Sequence, residues 1–162
     1  MVLSDVVSSE LIECELAATD KASAFIEMAN LFRAQGVIGN MDEFLRDLFD
    51  RELVEHTVIS LEGGMAIGIP HSKSLGCSEC RVAVARSNEG IDYEDPDHTK
   101  VNLIFMFACP KENSGAHLQL LAKFAGMLCY EEFTEALMHA ESGQEMEDII
   151  LTFEQKIDND EL

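Results

Sequence analysis

The sequence predicts an α/β fold, with a three-layer α/β/α arrangement in which a mixed central sheet is flanked by helices. Helical periodicity dominates both ends of the chain, while short apolar or alternating runs bounded by Gly, Pro and Asp fill the middle. Helices on both sides of a strand-rich centre favour a layered structure over a bundle. The run at 101–108 is almost entirely apolar, which is typical of a strand covered on both faces. Because the run at 81–86 lies close to its neighbours in sequence, we expect a mixed sheet.

Each element has a local signal. Two helix starts have the capping-box pattern, Asn40 with Glu43 and Ser142 with Glu145. In chain order, the sequence predicts a strand at 10–16, a helix at 21–34 ending near Gly36, a second helix from Asn40, strands at 65–69, 81–86 and 101–108, a helix at 116–128 and a last helix from Ser142.

Length and charge limit the possible functions. The 162 residues fit a single domain over 1–162, with an acidic tail at 158–162. With 31 acidic and 11 basic residues the formal net charge is −20, which disfavours nucleic acid and anionic membrane surfaces as partners. No apolar run approaches the roughly 20 residues that span a bilayer, so no membrane insertion is expected. A missing secretory signal and five cysteines, an odd number, predict a cytoplasmic protein.

His71 stands where an apolar strand gives way to a loop. It follows Pro70 at the end of the predicted strand 65–69, and Ser72 and Ser74 come directly after it. Ligand and catalytic groups of α/β folds gather at such strand ends, and the serine hydroxyls can donate hydrogen bonds to a bound phosphate.

His117 lies in the first turn of the predicted helix 116–128. Backbone N–H groups at this end of a helix have no intrahelical partner, and the positive end of the helix dipole lies there. This dipole disfavours a cationic imidazole by about 0.3–1 kcal/mol, so we expect a neutral ring. Two imidazoles and a helix N-terminus together can hold a phosphoryl group. Either histidine alone also fits a structural role. The other three, His56, His98 and His139, are predicted to be surface residues.

The Cys77-x-x-Cys80 pair supplies half of a zinc site, and no second pair or CxxH lies at metal-ligand spacing. It precedes a strand, whereas a redox pair would open a helix. We therefore predict unpaired thiols at a strand edge. Because no GxxxxGK[ST] loop is present either, the sequence predicts neither a metal nor a nucleotide cofactor.

Two segments resemble, in order, the active-site regions of a known family. Residues 64–71, GMAIGIPH, resemble the signature of the fructose/mannitol-class (type-2) EIIA domains of the bacterial phosphoenolpyruvate-dependent sugar phosphotransferase system. That signature is a glycine-led apolar strand ending in Ile-Pro-His. The strand at 101–110 followed by HLQLL at 117–121 resembles the family's second segment. The Arg-Glu pair at 51–52 agrees in position, and the resemblance covers roughly residues 10–155.

The resemblance implies a phosphotransferase that works through a phosphohistidine. His71 would accept a phosphoryl group from the carrier HPr and pass it to a cysteine of the cognate EIIB component, without a cofactor. His117 would contact the phosphoryl group, and the family arginine maps to Arg51. The chain departs from the family in a longer segment between Arg51 and His71, and in Gly68, where alanine is more usual.

Three alternatives to sugar uptake remain open from the sequence. A regulatory, nitrogen-type EIIA protein would be phosphorylated identically but would signal by binding a target. A non-catalytic interaction domain would retain only the fold, and the presence of both His71 and His117 argues against it. A zinc or redox protein built on Cys77 and Cys80 is a more distant possibility.

Overall fold

A six-stranded sheet lies between two layers of helix in the computed structural model, which describes residues 1–97 and 99–162. The prediction for His98 lies outside the described residues. The strands are β1 (Ile12–Glu13), β2 (Val58–Ser60), β3 (Ala66–Gly68), β4 (His71–Ser74), β5 (Arg81–Asp92) and β6 (Lys100–Pro110). The helices are α1 (Lys21–Ala34), α2 (Met41–Val54), α3 (Ser114–Met127), α4 (Glu131–His139) and α5 (Gly143–Asp158), and short 3-10 turns span Leu3–Asp5 and Ser9–Leu11.

The sheet is mixed, as predicted. Its order is β1-β5-β6-β3-β2, and β4 also pairs with β6. Strand β5 is antiparallel to β6, whereas β1 is parallel to β5 and both β3 and β4 are parallel to β6. The predicted three-layer α/β/α architecture is confirmed, because α1 and α2 cover one face and α3, α4 and α5 cover the other.

Strands β3 and β4 form one interrupted line along β6. Gly68 pairs with Ile104 and His71 pairs with Phe107, so the register is the same on both sides of the break. Pro70 lies in the break, and it lacks an N–H, but its carbonyl accepts from Phe107 N at 3.0 Å. The interruption therefore starts β4 at His71 without losing alignment with the central strand.

Local capping signals account for the starts of α2 and α5. The side chain of Asn40 accepts from Glu43 N, and that of Ser142 accepts from Glu145 N, as the capping boxes predict. Helix α1 has the predicted bounds. Within the described residues no helix combines the length and apolar character needed to cross a membrane.

Three parts of the sheet differ from the prediction. The expected strand at 10–16 is reduced to β1, because a 3-10 turn occupies Ser9–Leu11, although Leu16 N still bonds to Arg86 O at 2.9 Å. Strand β5 runs to Asp92, beyond the predicted 81–86, with an irregularity after Arg86. Strands β2 and β4 were not predicted.

Candidate phosphoryl-transfer site

One pocket brings together the C-terminal part of α2, strand β4 and the N-terminal turn of α3. Both predicted histidines and the predicted arginine line it, although they come from three separate elements. The lining residues are Asp47, Asp50, Arg51, His71, Ser72, Lys73, His117, Leu118 and Leu121.

His71 presents one defined ring nitrogen to this pocket. Its Nδ1 lies 2.9 Å from the carbonyl oxygen of Ile69, and a carbonyl can only accept, so Nδ1 donates. A neutral imidazole has one N–H, which leaves Nε2 unprotonated with its lone pair available. The half-buried ring is thus held in the tautomer that leaves the Nε2 lone pair free.

His117 lies beside His71, buried at the start of α3. The ring centroids are 5.3 Å apart and the planes are inclined by 50°. Burial, followed by the electrostatic influence of the neighbouring His71, Lys73 and Arg51, lowers the pKa of His117 to about 4. The ring is therefore neutral near pH 7, as the sequence predicted, although the main cause is burial and not the helix N-terminus. Its Nδ1 has no hydrogen-bond partner within residues 1–97 and 99–162.

Two cations border the pocket. Arg51, in the last turn of α2, is 3.9 Å from Glu55, and its buried Nη1 has no hydrogen-bond partner in the described part of the chain. A buried guanidinium N–H without a partner suits a bound acceptor such as a phosphoryl oxygen. Lys73, in β4, donates to Ser114 Oγ at 3.4 Å and so stands at the N-terminus of α3.

The longer segment between Arg51 and His71 does not displace the arginine. Part of it folds into the β2–β3 hairpin, in which Val58 pairs with Gly68. The hairpin loop includes Gly63 and Gly64 at φ +88° and +90°, where a side chain would be strained. The segment between the two residues thus contains a hairpin, and Arg51 still lines the pocket together with His71.

The two predicted serines have different environments. Ser72 is buried and lines the pocket. The hydroxyl of Ser74 donates to Asp47 Oδ2 at 2.6 Å and accepts from Gly76 N at 3.0 Å, and Ser74 is not among the lining residues. Ser74 therefore holds Asp47 in place at the edge of the pocket.

Lys73 and Asp47 line the pocket but were not predicted as site residues. The signal for Lys73 was its spacing, because residues 71 and 73 of one strand point to the same face. Asp47 gave no such signal, since its place depends on how α2 packs against β4.

The cysteines lie outside the pocket. Cys77 and Cys109 are buried and Cys80 is half-buried, and all are free thiols. Burial raises the pKa of Cys77 to about 11 and also raises that of Cys80. Among the described residues, no group of three His, Cys, Asp or Glu side chains is arranged to hold a metal ion.

Two of the remaining histidines are exposed, as predicted. His56 lies 3.3 Å from Lys21 Nζ, and His139 contacts Glu135 O at 2.8 Å near the end of α4. Neither lines the pocket with His71.

The pocket can bind and transfer a small tetrahedral anion. It combines an unprotonated imidazole nitrogen, a neutral buried imidazole and two cations. Phosphoryl transfer depends mainly on positioning and charge stabilisation, both of which these groups provide.

Comparison with known proteins gives the same family as the resemblance. The family model described as "Phosphoenolpyruvate-dependent sugar phosphotransferase system, EIIA 2" matches residues 5–152. A fructose-specific EIIA component of Haloferax volcanii is 34% identical over 148 residues, which cover 91% of this chain and 94% of the Haloferax protein. The crystal structure of the nitrogen regulatory protein IIA-Ntr of Neisseria meningitidis has a TM-score of 0.76 and 27% identity, with coverage of 90% and 97%. The Escherichia coli mannitol IIA, in complex with phosphorylated mannitol IIB, has a TM-score of 0.73 and 19% identity, with coverage of 90% and 97%. The chain belongs to the type-2 EIIA family of the phosphoenolpyruvate-dependent sugar phosphotransferase system, which carries phosphoryl-transfer activity.

Proposed function

We propose that this protein is a phosphocarrier that accepts a phosphoryl group from phosphohistidine on HPr and donates it to a cysteine of an EIIB component during sugar uptake. Its place of action would be the cytoplasm. The observation that carries the proposal is the hydrogen bond from His71 Nδ1 to Ile69 O, which leaves Nε2 as the free nucleophile beside a neutral His117.

The chemical step balances without a cofactor. The Nε2 lone pair of His71 attacks phosphorus in line as the P–N bond to the donor histidine breaks, and the donor ring keeps the electron pair. His71 keeps its Nδ1 proton throughout, so the phosphorylated ring carries a positive charge that the Ile69 carbonyl stabilises. When a thiolate of EIIB then attacks the phosphorus, the P–N bond to His71 breaks, and the Nε2 lone pair and the neutral ring are restored.

His117, Arg51 and Lys73 are proposed to bind the phosphoryl oxygens, and Ser72 is placed to donate to them as well. A neutral His117 can donate one hydrogen bond without adding a charge. The half-exposed guanidinium of Arg51 can reach an incoming group while keeping its unpaired Nη1 in the pocket. Exposed Leu118 and half-buried Leu121 supply an apolar rim for the protein that carries the phosphoryl group.

A regulatory role is the second candidate. The IIA-Ntr crystal structure covers 90% of this chain at 27% identity, so the same site also fits a protein that signals through its phosphorylation state. The 34% identity to a fructose-specific EIIA component favours sugar uptake. Transfer to a purified EIIB component distinguishes the two roles, because only the carrier has to donate efficiently.

The test uses phosphoenolpyruvate, enzyme I and HPr, followed by intact mass measurement. We expect a gain of one phosphate that is lost in acid and stable in base, and no gain in His71→Ala. His117→Ala should still accept phosphate, about tenfold to a hundredfold more slowly, because a hydrogen bond to a charged partner contributes roughly 1.5–3 kcal/mol. His117→Gln should be milder, since it keeps a donor.

His139→Ala is the matched control, because His139 is exposed and lies outside the pocket. Phosphate that persists in His71→Ala, or that survives acid, contradicts the assignment of the nucleophile. An unchanged rate in His117→Ala removes that residue from the site.

A further inference from the structure

A buried polar cluster lies behind the pocket, on the side of the sheet covered by α1 and α2. Its centre is the ion pair between Lys21 Nζ and Glu52 Oε2 at 2.8 Å, in which the two side chains are only 8% and 3% exposed. The other carboxylate oxygen of Glu52 accepts from the hydroxyl of Thr57. Glu52 follows Arg51 in the last turn of α2, so this cluster holds the end of the helix that carries the site's arginine.

The cluster connects to the nucleophile through two further hydrogen bonds. The carbonyl of Thr57 accepts from Ile69 N at 2.7 Å, and the carbonyl of Ile69 accepts from His71 Nδ1 at 2.9 Å. Thr57 thus bonds to α2 through its side chain and to the β3–β4 junction through its backbone. We propose that Glu52 and Thr57 are positioning residues that hold the Ile69 carbonyl against His71 and so keep the proton of that imidazole on Nδ1.

This positioning matters because the tautomer decides whether Nε2 can react. A free imidazole side chain in water prefers its proton on Nε2, and a nitrogen that carries a proton has no lone pair for attack on phosphorus. The Ile69 carbonyl reverses that preference only while it remains near Nδ1. The consequence of this positioning for phosphoryl uptake rests on the proposed function, whereas the effect of Glu52 and Thr57 on the His71 tautomer does not.

The chain is tightly packed at Gly68, the residue that precedes Ile69. The ring of Tyr93 fills the space beside Gly68. A Cβ placed on Gly68 would lie only 2.7 Å from the Tyr93 hydroxyl oxygen. The Lys21 ammonium lies 4.6 Å from the centre of the same ring. The glycine that departs from the family's usual alanine is therefore accommodated by a tyrosine that directly follows β5, and both belong to the wall that supports the junction.

The decisive variant is Thr57→Val, which removes the hydroxyl and keeps the branched shape. Glu52 keeps its partner Lys21, so the fold is expected to persist. We expect the ¹⁵N resonances of the unphosphorylated His71 ring to move towards the tautomer protonated on Nε2. Phosphoryl uptake should lose about tenfold in kcat with KM for phospho-HPr unchanged, because the reacting atom is misplaced while the docking surface is intact. Thr57→Ser should restore both properties.

Two further variants keep the test decisive. Thr134→Val is the matched control, because Thr134 is also buried and its hydroxyl donates to Glu131 O within α4, away from the pocket. If Thr57→Val does not fold, the double variant Lys21→Met/Glu52→Leu removes the acceptor of the Thr57 hydroxyl together with both charges. It should produce the same shift of the His71 tautomer.

Unchanged His71 resonances in a folded Thr57→Val or in the double variant would overturn the proposal, as would the same change in Thr134→Val. A wild-type protein that takes up no phosphate, but whose His71 tautomer responds to Thr57→Val, would refute the proposed function and leave the positioning role standing.

Discussion

Acid should destabilise this protein through His117, and the size of the effect follows from its burial. Burial, with His71, Lys73 and Arg51 nearby, lowers its pKa from 6.5 to about 4 in the folded chain. Between these values the unfolded chain binds the proton and the folded chain does not, so stability is fully present above pH 6.5 and falls as the pH falls. Between about pH 7.5 and about pH 5, the His117 ring alone should lower the free energy of unfolding by about 2 kcal/mol.

The assay compares denaturant unfolding of the wild type with that of His117→Gln over this pH range. The glutamine does not titrate, so the stability difference between the two proteins should change by about 2 kcal/mol from one end to the other. Contributions from the many carboxylates cancel in that difference. His139→Gln, at an exposed position, should show a much smaller change. A stability difference between wild type and His117→Gln that stays constant with pH would contradict the prediction, since it would mean that His117 has the same pKa in the folded and unfolded chain.

Three other predictions follow from the same structure. Gly68→Ala should destabilise the fold by about 1–3 kcal/mol, because the new Cβ would lie 2.7 Å from the Tyr93 hydroxyl oxygen. Thermal unfolding of Gly68→Ala, with and without Tyr93→Phe, checks whether removing the hydroxyl restores part of the lost stability. Raising the ionic strength should slow phosphoryl uptake through association, because a chain of net charge −20 attracts a partner with a complementary surface, and an association rate constant that is flat with salt contradicts this. The double variant Cys77→Ser/Cys80→Ser should keep phosphoryl uptake and contain no stoichiometric metal, because both thiols lie outside the pocket, and one zinc per chain by metal analysis would contradict it.

The parts of the fold that sequence predicts well are those whose signals are local. Asn40 and Ser142 each bond to a backbone N–H three residues ahead, so the capping pattern alone locates two helix starts. Strand β4 has no such signal. Its sequence, His-Ser-Lys-Ser, is polar, and it becomes a strand because β6 supplies a ladder and Asp47 accepts a hydrogen bond from the buried Ser74 hydroxyl. Both partners are distant in sequence.

The site shows the same division. His71 and His117 were found from their places at a strand end and a helix start, and the structure brings their rings to 5.3 Å. The tautomer of His71 could not be predicted, because it depends on how the chain turns through Pro70 to aim the Ile69 carbonyl. Whether Arg51 reaches the pocket was equally inaccessible, since that depends on the hairpin formed by the longer intervening segment.

The charge balance of the pocket suits a phosphoryl group that has to leave again. A phosphoryl group carries about −1.5 to −2 charges near neutral pH, so a site with excess positive charge would retain it. Here two lining cations, Arg51 and Lys73, stand with two lining carboxylates, Asp47 and Asp50, which gives no net formal charge. The lowered pKa of His117 preserves that balance, because a protonated His117 ring would add a further cation beside the phosphoryl group. Binding would then depend on short-range hydrogen bonds, which are lost as soon as the group moves to an acceptor in line with Nε2.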